Sequence, residues 1–243
     1  MKTLLLKTLP LLLICTSSKA YDPTSVNNAI EMDNVSTIAS LVESGQISIN
    51  EKIPAPGYGK GAPLITLAAR SASLKVLTYL INHKADLNAK TPVNETALML
   101  ASFFKDEDGS YEPGYKQHEK AVQLLVQAGA NLENDIGSYT PLSYAAYQGH
   151  IRIVKYLTSK GANIDGNAVN GENNVNTPLM MSVLTDQQEV VIHLLRLGAD
   201  VKITKGTESA ITFAKKYNRT KMLNYLTCAE RLNPGQKFSE VCE

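Results

Sequence analysis

The stretch TPLSYAAYQGH at residues 140–150 has the features of a short helix with defined ends. Thr140 offers a side-chain oxygen to the free amides of a helix start, and Pro141 follows where the missing amide of a proline is tolerated. Gly149 can adopt the left-handed backbone conformation that ends many helices. This stretch therefore predicts a helix that starts at Pro141 and stops at Gly149.

A second helix is predicted directly after the first. Its apolar residues recur at the spacing of one helix face: Ile153, Val154 and Leu157. Gly161 then ends this helix as Gly149 ends the first. Ala145 and Ala146 keep one face of the first helix thin, so that the second helix can lie close to it. Residues 140–161 therefore predict a pair of packed helices.

The pattern T-P-L-x-x-A-A, G-H and V-x-x-L-x-x-x-G-A-x-x-D in residues 140–165 resembles the ankyrin repeat. Ser143 stands where that family usually has histidine. One such helix pair cannot bury its own apolar face, so the resemblance implies stacked neighbours with extended finger loops. The expected fold is an all-α ankyrin-repeat solenoid.

Related patterns recur on both sides of this stretch, so an ankyrin-repeat domain is expected over residues 21–226. Six helix pairs are expected near residues 24–50, 62–90, 94–134, 138–166, 175–203 and 207–226. The last pair has a polar outer side, which the end of a solenoid requires.

Three segments depart from the repeat, and such departures belong in loops that do not carry the stack. Residues 53–61 lengthen the first finger, and residues 166–175, rich in asparagine and glycine, lengthen a later one. The segment 103–120 inserts about twelve residues between the helices of the third pair, judged against the ankyrin period.

The first twenty residues read as a secretory signal peptide. Lys2 and Lys7 precede and flank an apolar run, and small residues end the segment before cleavage after Ala20. We therefore expect a periplasmic or secreted protein without membrane insertion after cleavage. The alternative is a lipoprotein attached through Cys15, which bulky Ile14 disfavours.

Two of the three cysteines, Cys228 and Cys242, lie in the tail of residues 227–243. In an exported chain, two such cysteines most simply form a disulfide. The alternative is a pair of free thiols.

Composition argues against several classes of function. Loss of the signal segment removes three lysines and no acidic residue, so the formal net charge of +1 becomes −2. The sequence lacks the basic stripe that is typical of nucleic-acid binding, so we expect no nucleic-acid partner. Glu189 and His193 are one helical turn apart, but no third metal ligand is near in the sequence. We therefore expect no metal and no cofactor. We also expect no enzymatic activity, because the sequence shows no set of acid, base and nucleophile that would form an active site.

The resemblance implies that partners bind the finger tips and the two positions after the paired alanines of each first helix. Aromatic residues at such solvent-facing positions point to a protein interface. The expected partner-binding residues are Tyr58, Lys60, Arg70, Glu95, Phe103, Phe104, Tyr111, Tyr115, Tyr139, Tyr147, Gln148, Asn176, Leu184 and Tyr217. As an alternative, Phe103 and Phe104 pack beneath their own insertion.

Similarity to exported bacterial ankyrin-like proteins implies an immunity role. In this interpretation the chain, monomeric alone, binds and neutralises a toxic effector from a rival cell, such as a phospholipase or other lipase delivered by type VI secretion. The alternative is an envelope assembly or oxidative-stress scaffold without inhibitory activity. Fold alone does not decide between them.

Overall fold

The computed structural model describes residues 21–104, 114–135, 137–167 and 175–243. The predicted signal peptide with Cys15, residues 105–113 of the insertion with Tyr111, and residues 168–174 of the predicted later finger lie outside these ranges, and only the backbone of Tyr115 is described.

The chain is built from short helices that follow one another in pairs. The helices are α1 (Pro23–Glu31), α2 (Val35–Glu43), α3 (Leu64–Arg70), α4 (Leu74–Asn82), α5 (Ala97–Ser102), α6 (Gly114–Gln127), α7 (Pro141–Gln148), α8 (Ile151–Ser159), α9 (Pro178–Leu184), α10 (Gln188–Arg196), α11 (Ala210–Lys216), α12 (Thr220–Glu230) and α13 (Phe238–Val241).

The pairs stack side by side in two rows. The first helices contact in the order α1, α3, α5, α7, α9, α11, and the second helices in the order α2, α4, α6, α8, α10, α12. The core fills the space between the rows with apolar side chains from both helices of each pair. In the central pair, Ala145, Ala146, Ile153, Val154 and Leu157 are all fully buried.

Helix α7 has the ends that the sequence predicts. The Thr140 hydroxyl accepts a hydrogen bond from the Ser143 amide at 3.2 Å, and Pro141 is the first helical residue. Gly149 has a φ of 78° and closes the helix. The local prediction for this helix is confirmed, because its capping chemistry lies within the stretch itself.

The helical architecture is confirmed, but two finger loops contain strands that the all-α expectation missed. Strands β1 (Lys52–Ala55) and β2 (Tyr58–Pro63) form an antiparallel hairpin, and β3 (Thr204–Lys205) pairs with β4 (Glu208–Ser209). Ile53 and Ala62 face each other in the first hairpin and are fully buried. Pairing satisfies the backbone amides and carbonyls of this lengthened finger while its apolar residues reach the core.

Side chains at the bases of the fingers connect successive pairs. In each case a side-chain oxygen accepts a hydrogen bond from a backbone amide of the next pair: Asn50 from Asp86 at 2.8 Å, Asn88 from Asn131 at 2.9 Å, Glu133 from Asn163 at 2.7 Å and Asp165 from Asp200 at 2.9 Å. These bonds fix the register between neighbouring pairs as well as their distance.

The C-terminal tail folds back onto the stack. Cys228 and Cys242 form the predicted disulfide, with 5.8 Å between their Cα atoms. Phe238 is 3% exposed, and α13 packs on α10. The Arg196 guanidinium donates two hydrogen bonds to the Glu243 carboxylate, at 2.7 and 2.6 Å.

Candidate protein-binding surface

Four aromatic side chains from two neighbouring helix pairs lie together at one end of α5 and along α7. We call Phe103, Tyr139, Tyr144 and Tyr147 the aromatic surface. The Phe103 ring meets Tyr144 edge-on, with centroids 4.8 Å apart, and lies 6.1 Å from Tyr147 at an interplanar angle of 30°. Tyr139 meets Tyr144 at 6.2 Å and 73°. Phe103 is 40% exposed.

The positions of these residues in the helices explain why they meet. Tyr144 and Tyr147 are three residues apart on α7, so their side chains share one helix face. Phe103 is the residue at which α5 ends, and Tyr139 directly precedes the cap of α7. Because α5 and α7 pack against each other, these residues come together across the boundary between two pairs.

Glu95 and Met181 complete the lining of a cleft of about 280 Å³ beside the four rings. The Glu95 carboxylate accepts hydrogen bonds from three hydroxyl groups. Its Oε2 accepts from Tyr58 at 2.6 Å and from Thr91 at 3.3 Å, and its Oε1 accepts from Tyr144 at 3.3 Å. The cleft therefore combines aromatic walls with one carboxylate held in place by hydroxyl donors.

The carboxylate influences the ionisation of both tyrosines that contact it. Burial, followed by the hydrogen bond to Glu95 and its charge, raises the pKa of Tyr58 to about 12 despite an opposing effect of Arg70. Burial, followed by the charge of Glu95 and the hydrogen bond to it, also raises the pKa of Tyr144. Both hydroxyls therefore stay protonated at neutral pH and act as donors to Glu95.

The structure brings several sequence-predicted residues together and adds one that was missed. Glu95, Phe103, Tyr139 and Tyr147 line the same cleft. Gln148 lies beside them, where its Nε2 donates to the Phe103 carbonyl at 3.4 Å. Tyr144 was not predicted, because it precedes the paired alanines Ala145 and Ala146 and lies outside the finger tips. Its spacing of three residues from Tyr147 could have revealed it.

Two predicted residues face inward and do not offer their side chains to a partner. Tyr58 is 8% exposed, with its hydroxyl on Glu95 and its ring 5.6 Å from the Arg70 guanidinium carbon. Phe104 is 9% exposed because its ring is stacked between His118 and His150, each at 4.1 Å. The expectation of solvent-facing side chains is therefore wrong for Tyr58 and Phe104, and the inward-packing alternative applies to Phe104 but not to Phe103.

The remaining predicted residues are spread along the stack. Asn176 donates to the Met181 sulfur at 3.7 Å and so reaches the rim of the cleft. Lys60 and Arg70 are exposed at the β1–β2 hairpin and the end of α3. Leu184 is half-buried at the end of α9, and Tyr217, 40% exposed, lies at the end of α11. Tyr111 and the Tyr115 side chain fall outside the described residues.

Comparison with known families agrees with the stacked helix pairs. A family model described as ankyrin repeats in three copies matches residues 114–168, and one described as the ankyrin repeat matches residues 174–205. These two segments match ankyrin repeats, which are protein–protein interaction modules and typically lack enzymatic activity. Tyr139, Tyr144 and Tyr147 of the aromatic surface lie within the first of them.

The curated relatives are much longer proteins, and the chain matches only a small part of each of them. The chain is 27% identical over 163 residues to the ankyrin repeat domain-containing protein SAT10 of Stachybotrys chartarum, covering 65% of the chain and 8% of that protein. It is 35% identical over 86 residues to the human ankyrin repeat and KH domain-containing protein 1, covering 35% and 3%. The palmitoyltransferase AKR1 of Lachancea kluyveri is 25% identical over 125 residues, 49% of the chain and 15% of the enzyme, through its ankyrin repeats alone.

Within the described residues, no helix combines the length and apolar character that crossing a membrane requires. No group of three or more histidine, cysteine, aspartate or glutamate side chains in these ranges is arranged to hold a metal ion.

Proposed function

We propose that this ankyrin-repeat chain is an exported immunity protein, which binds a toxic effector in the periplasm and blocks it. The observation that carries the binding role is the aromatic surface, where four rings from two helix pairs flank a cleft beside an accessible carboxylate. The immunity role and the periplasmic location are the finer parts of the proposal. They draw support from the signal-like residues 1–20 and from a disulfide suited to an oxidising compartment.

Aromatic side chains at such a position are costly to leave in water and effective in an interface. Tyrosine and phenylalanine bury a large apolar area, and tyrosine keeps a hydroxyl for hydrogen bonding. Alanine scans of protein interfaces find the largest losses at buried aromatic and arginine anchors. A partner that covers Tyr139, Tyr147 and Phe103 would bury all three rings in one contact.

The 103–120 insertion supports inhibition by occlusion. It starts at Phe103, itself part of the aromatic surface, so the surface and the insertion are adjacent in the chain. A partner docked on the rings would therefore also meet the insertion. In the proposed mechanism the two together cover the active site of the effector, for which a phospholipase or another lipase is our candidate.

The test uses residues 21–243 and the product of the adjacent gene as candidate effector. We expect a stoichiometric complex by calorimetry and rescue of cells that express the effector. The double variant Tyr139→Ala/Tyr147→Ala should weaken binding roughly thirtyfold, the equivalent of about 2 kcal/mol for two anchor side chains. Circular dichroism checks that the variant remains folded.

A matched control removes two tyrosines from the other row of helices. Tyr79 on α4 and Tyr156 on α8 are both half-buried, and Tyr79→Ala/Tyr156→Ala should leave the affinity within about threefold of the wild type. Equal losses in both double variants would argue against the aromatic surface as the binding site. A complex without rescue would instead favour an envelope or oxidative-stress scaffold, for which loss of the gene should sensitise cells to peroxide.

A further inference from the structure

The carboxylate in the cleft is contacted by hydroxyl groups. Tyr58, Thr91 and Tyr144 all contact Glu95 through neutral hydroxyl groups. In the part of the chain that the structure describes, no lysine or arginine forms a salt bridge with Glu95. The negative charge at the cleft is therefore stabilised by hydrogen bonds without being neutralised.

One basic group, Arg70, acts on this cluster from the side of Tyr58. The Arg70 guanidinium donates to the Pro56 carbonyl at 3.2 Å and lies over the Tyr58 ring. Arg70 lowers the pKa of Tyr58, whereas the charged groups that act on the pKa of Tyr144 all raise it. On its Tyr144 side, which borders the aromatic surface, the carboxylate is contacted by the Tyr144 hydroxyl at 3.3 Å.

The rings themselves act in the same direction as the carboxylate. The face of an aromatic ring carries partial negative charge and attracts a cation placed above it. Here the planes of Phe103 and Tyr147 are 30° apart, while Tyr139 and Phe103 both stand edge-on to Tyr144, so rings of different orientation border one cleft. Both the walls of the cleft and its carboxylate favour a positive group.

We infer that this cleft receives an arginine side chain of the protein partner, with its guanidinium against the aromatic rings and directed to the Glu95 carboxylate. The inference rests on the proposed function only in assigning the cation to a protein partner. Glu95 Oε1 accepts a single, long hydrogen bond from Tyr144, and a carboxylate oxygen has room for a second donor. The cleft volume of about 280 Å³ is ample for a planar guanidinium.

Arginine fits this cleft better than the other side chains that could enter it. A guanidinium is planar, stacks on aromatic rings and is less strongly hydrated than the ammonium group of lysine. An apolar side chain would displace water from the Glu95 carboxylate without supplying a counter-charge, which is unfavourable. The partner is therefore expected to present a basic residue at the centre of its contact surface.

The experiment needs no partner and uses small probes on residues 21–243. Binding of N-acetyl-arginine methylamide is followed by NMR through the ring resonances of the aromatic surface, at millimolar probe concentrations. N-acetyl-citrulline methylamide is the neutral probe of nearly the same shape, and the lysine analogue tests the choice of cation. We expect the arginine probe to bind about fivefold more tightly than the citrulline probe, as for a cation beside aromatic rings at a partly exposed site.

Variants then assign the preference to Glu95. Glu95→Gln should lower the affinity for the arginine probe about threefold, because the rings retain their part of the preference, and should leave citrulline binding unchanged. Glu208→Gln is the matched control, because Glu208 pairs with Lys216 at 3.2 Å at the β3–β4 hairpin, and it should change neither affinity. If Glu95→Gln does not fold, the salt dependence of the wild-type arginine preference replaces it, since screening should reduce that preference.

Equal binding of the arginine and citrulline probes to the wild type would overturn the inference, as would an arginine preference that is undiminished in Glu95→Gln. Tighter binding of the lysine probe than of the arginine probe would overturn the choice of residue. None of these outcomes touches the proposed function, which fails separately if Tyr139→Ala/Tyr147→Ala leaves binding of the effector unchanged.

Discussion

Acidification should destabilise the fold through His118, a buried histidine on α6. His118 is 8% exposed, and its ring is stacked on Phe104 with centroids 4.1 Å apart and planes 10° from parallel. Its Nδ1–H donates to the Ala101 carbonyl at 3.3 Å. Burial, together with the charge of nearby His150, lowers the pKa of His118 to about 4, although the Ala101 carbonyl acts in the opposite direction.

The direction and size of the effect follow from proton linkage. The unfolded chain binds a proton at this histidine near pH 6.5, whereas the folded chain binds it only near pH 4. The contribution of neutral His118 to stability is therefore complete above pH 6.5 and is lost as the pH falls towards 4. Below pH 4 no further loss occurs. The shift corresponds to about 3 kcal/mol across this window as an upper limit.

Urea unfolding of residues 21–243 at several pH values between 7 and 4 measures this loss. His118→Phe keeps a ring against Phe104 but cannot titrate, and His118→Asn keeps a donor for the Ala101 carbonyl without the ring. The wild type should lose up to about 3 kcal/mol more of its unfolding free energy than either variant over the same window.

Comparison within the same pH limits removes the contributions of other groups. Burial raises the pKa values of Glu133 and Asp165, and burial lowers that of His193, but these groups are common to the wild type and the variants. Identical losses in the wild type and in both variants would refute the reasoning. His118 would then not be held neutral by its stack against Phe104.

Two further predictions concern the backbone and the tail. Gly149→Ala should lower the unfolding free energy by about 1 to 2 kcal/mol for the left-handed backbone. Displacing the flexible end of the Gln187 side chain, which a Cβ at Gly149 would meet, should add a smaller cost. Gly161→Ala, also left-handed but with no atom within 4 Å of its Cβ position, is the control in urea unfolding, and equal losses would exclude a role for Gln187. Reduction of the Cys228–Cys242 bond, or replacement of both cysteines by serine, should lower the unfolding free energy by roughly 3 kcal/mol and speed proteolysis after α12. An unchanged rate of cleavage in the tail would show that the docking of α13 on α10 is sufficient without the bond.

The parts of the fold that could be predicted are those whose chemistry is local. Thr140, Pro141 and Gly149 specify the ends of α7 within ten residues, so the helix could be predicted without its neighbours. The β1–β2 hairpin could not be predicted from its own sequence. Pro54 and a glycine-rich sequence obscure the alternation of a strand, and the hairpin depends on the burial of Ile53 in a core supplied by other segments.

The same distinction separates the predicted from the mispredicted site residues. The family pattern placed Phe103 and Phe104 at equivalent, solvent-facing positions, because it considers each helix by itself. In the structure the Phe103 side chain is exposed and the Phe104 side chain is buried, because His118 on α6 and His150 at the start of α8 stack on both sides of the Phe104 ring. Tyr58 likewise turns inward to a carboxylate thirty-seven residues away in the chain.

The aromatic surface is therefore positioned by contacts between helix pairs more than by its own sequence. The carbonyl groups of Phe103 and Phe104 both accept hydrogen bonds from the next pair, from Gln148 Nε2 at 3.4 Å and from His150 Nε2 at 2.8 Å. Phe104 is stacked between two histidines, and the ring of the preceding residue packs against Tyr144 and Tyr147. Rings that already pack against one another in the free chain lose less conformational entropy when a partner covers them, which favours affinity.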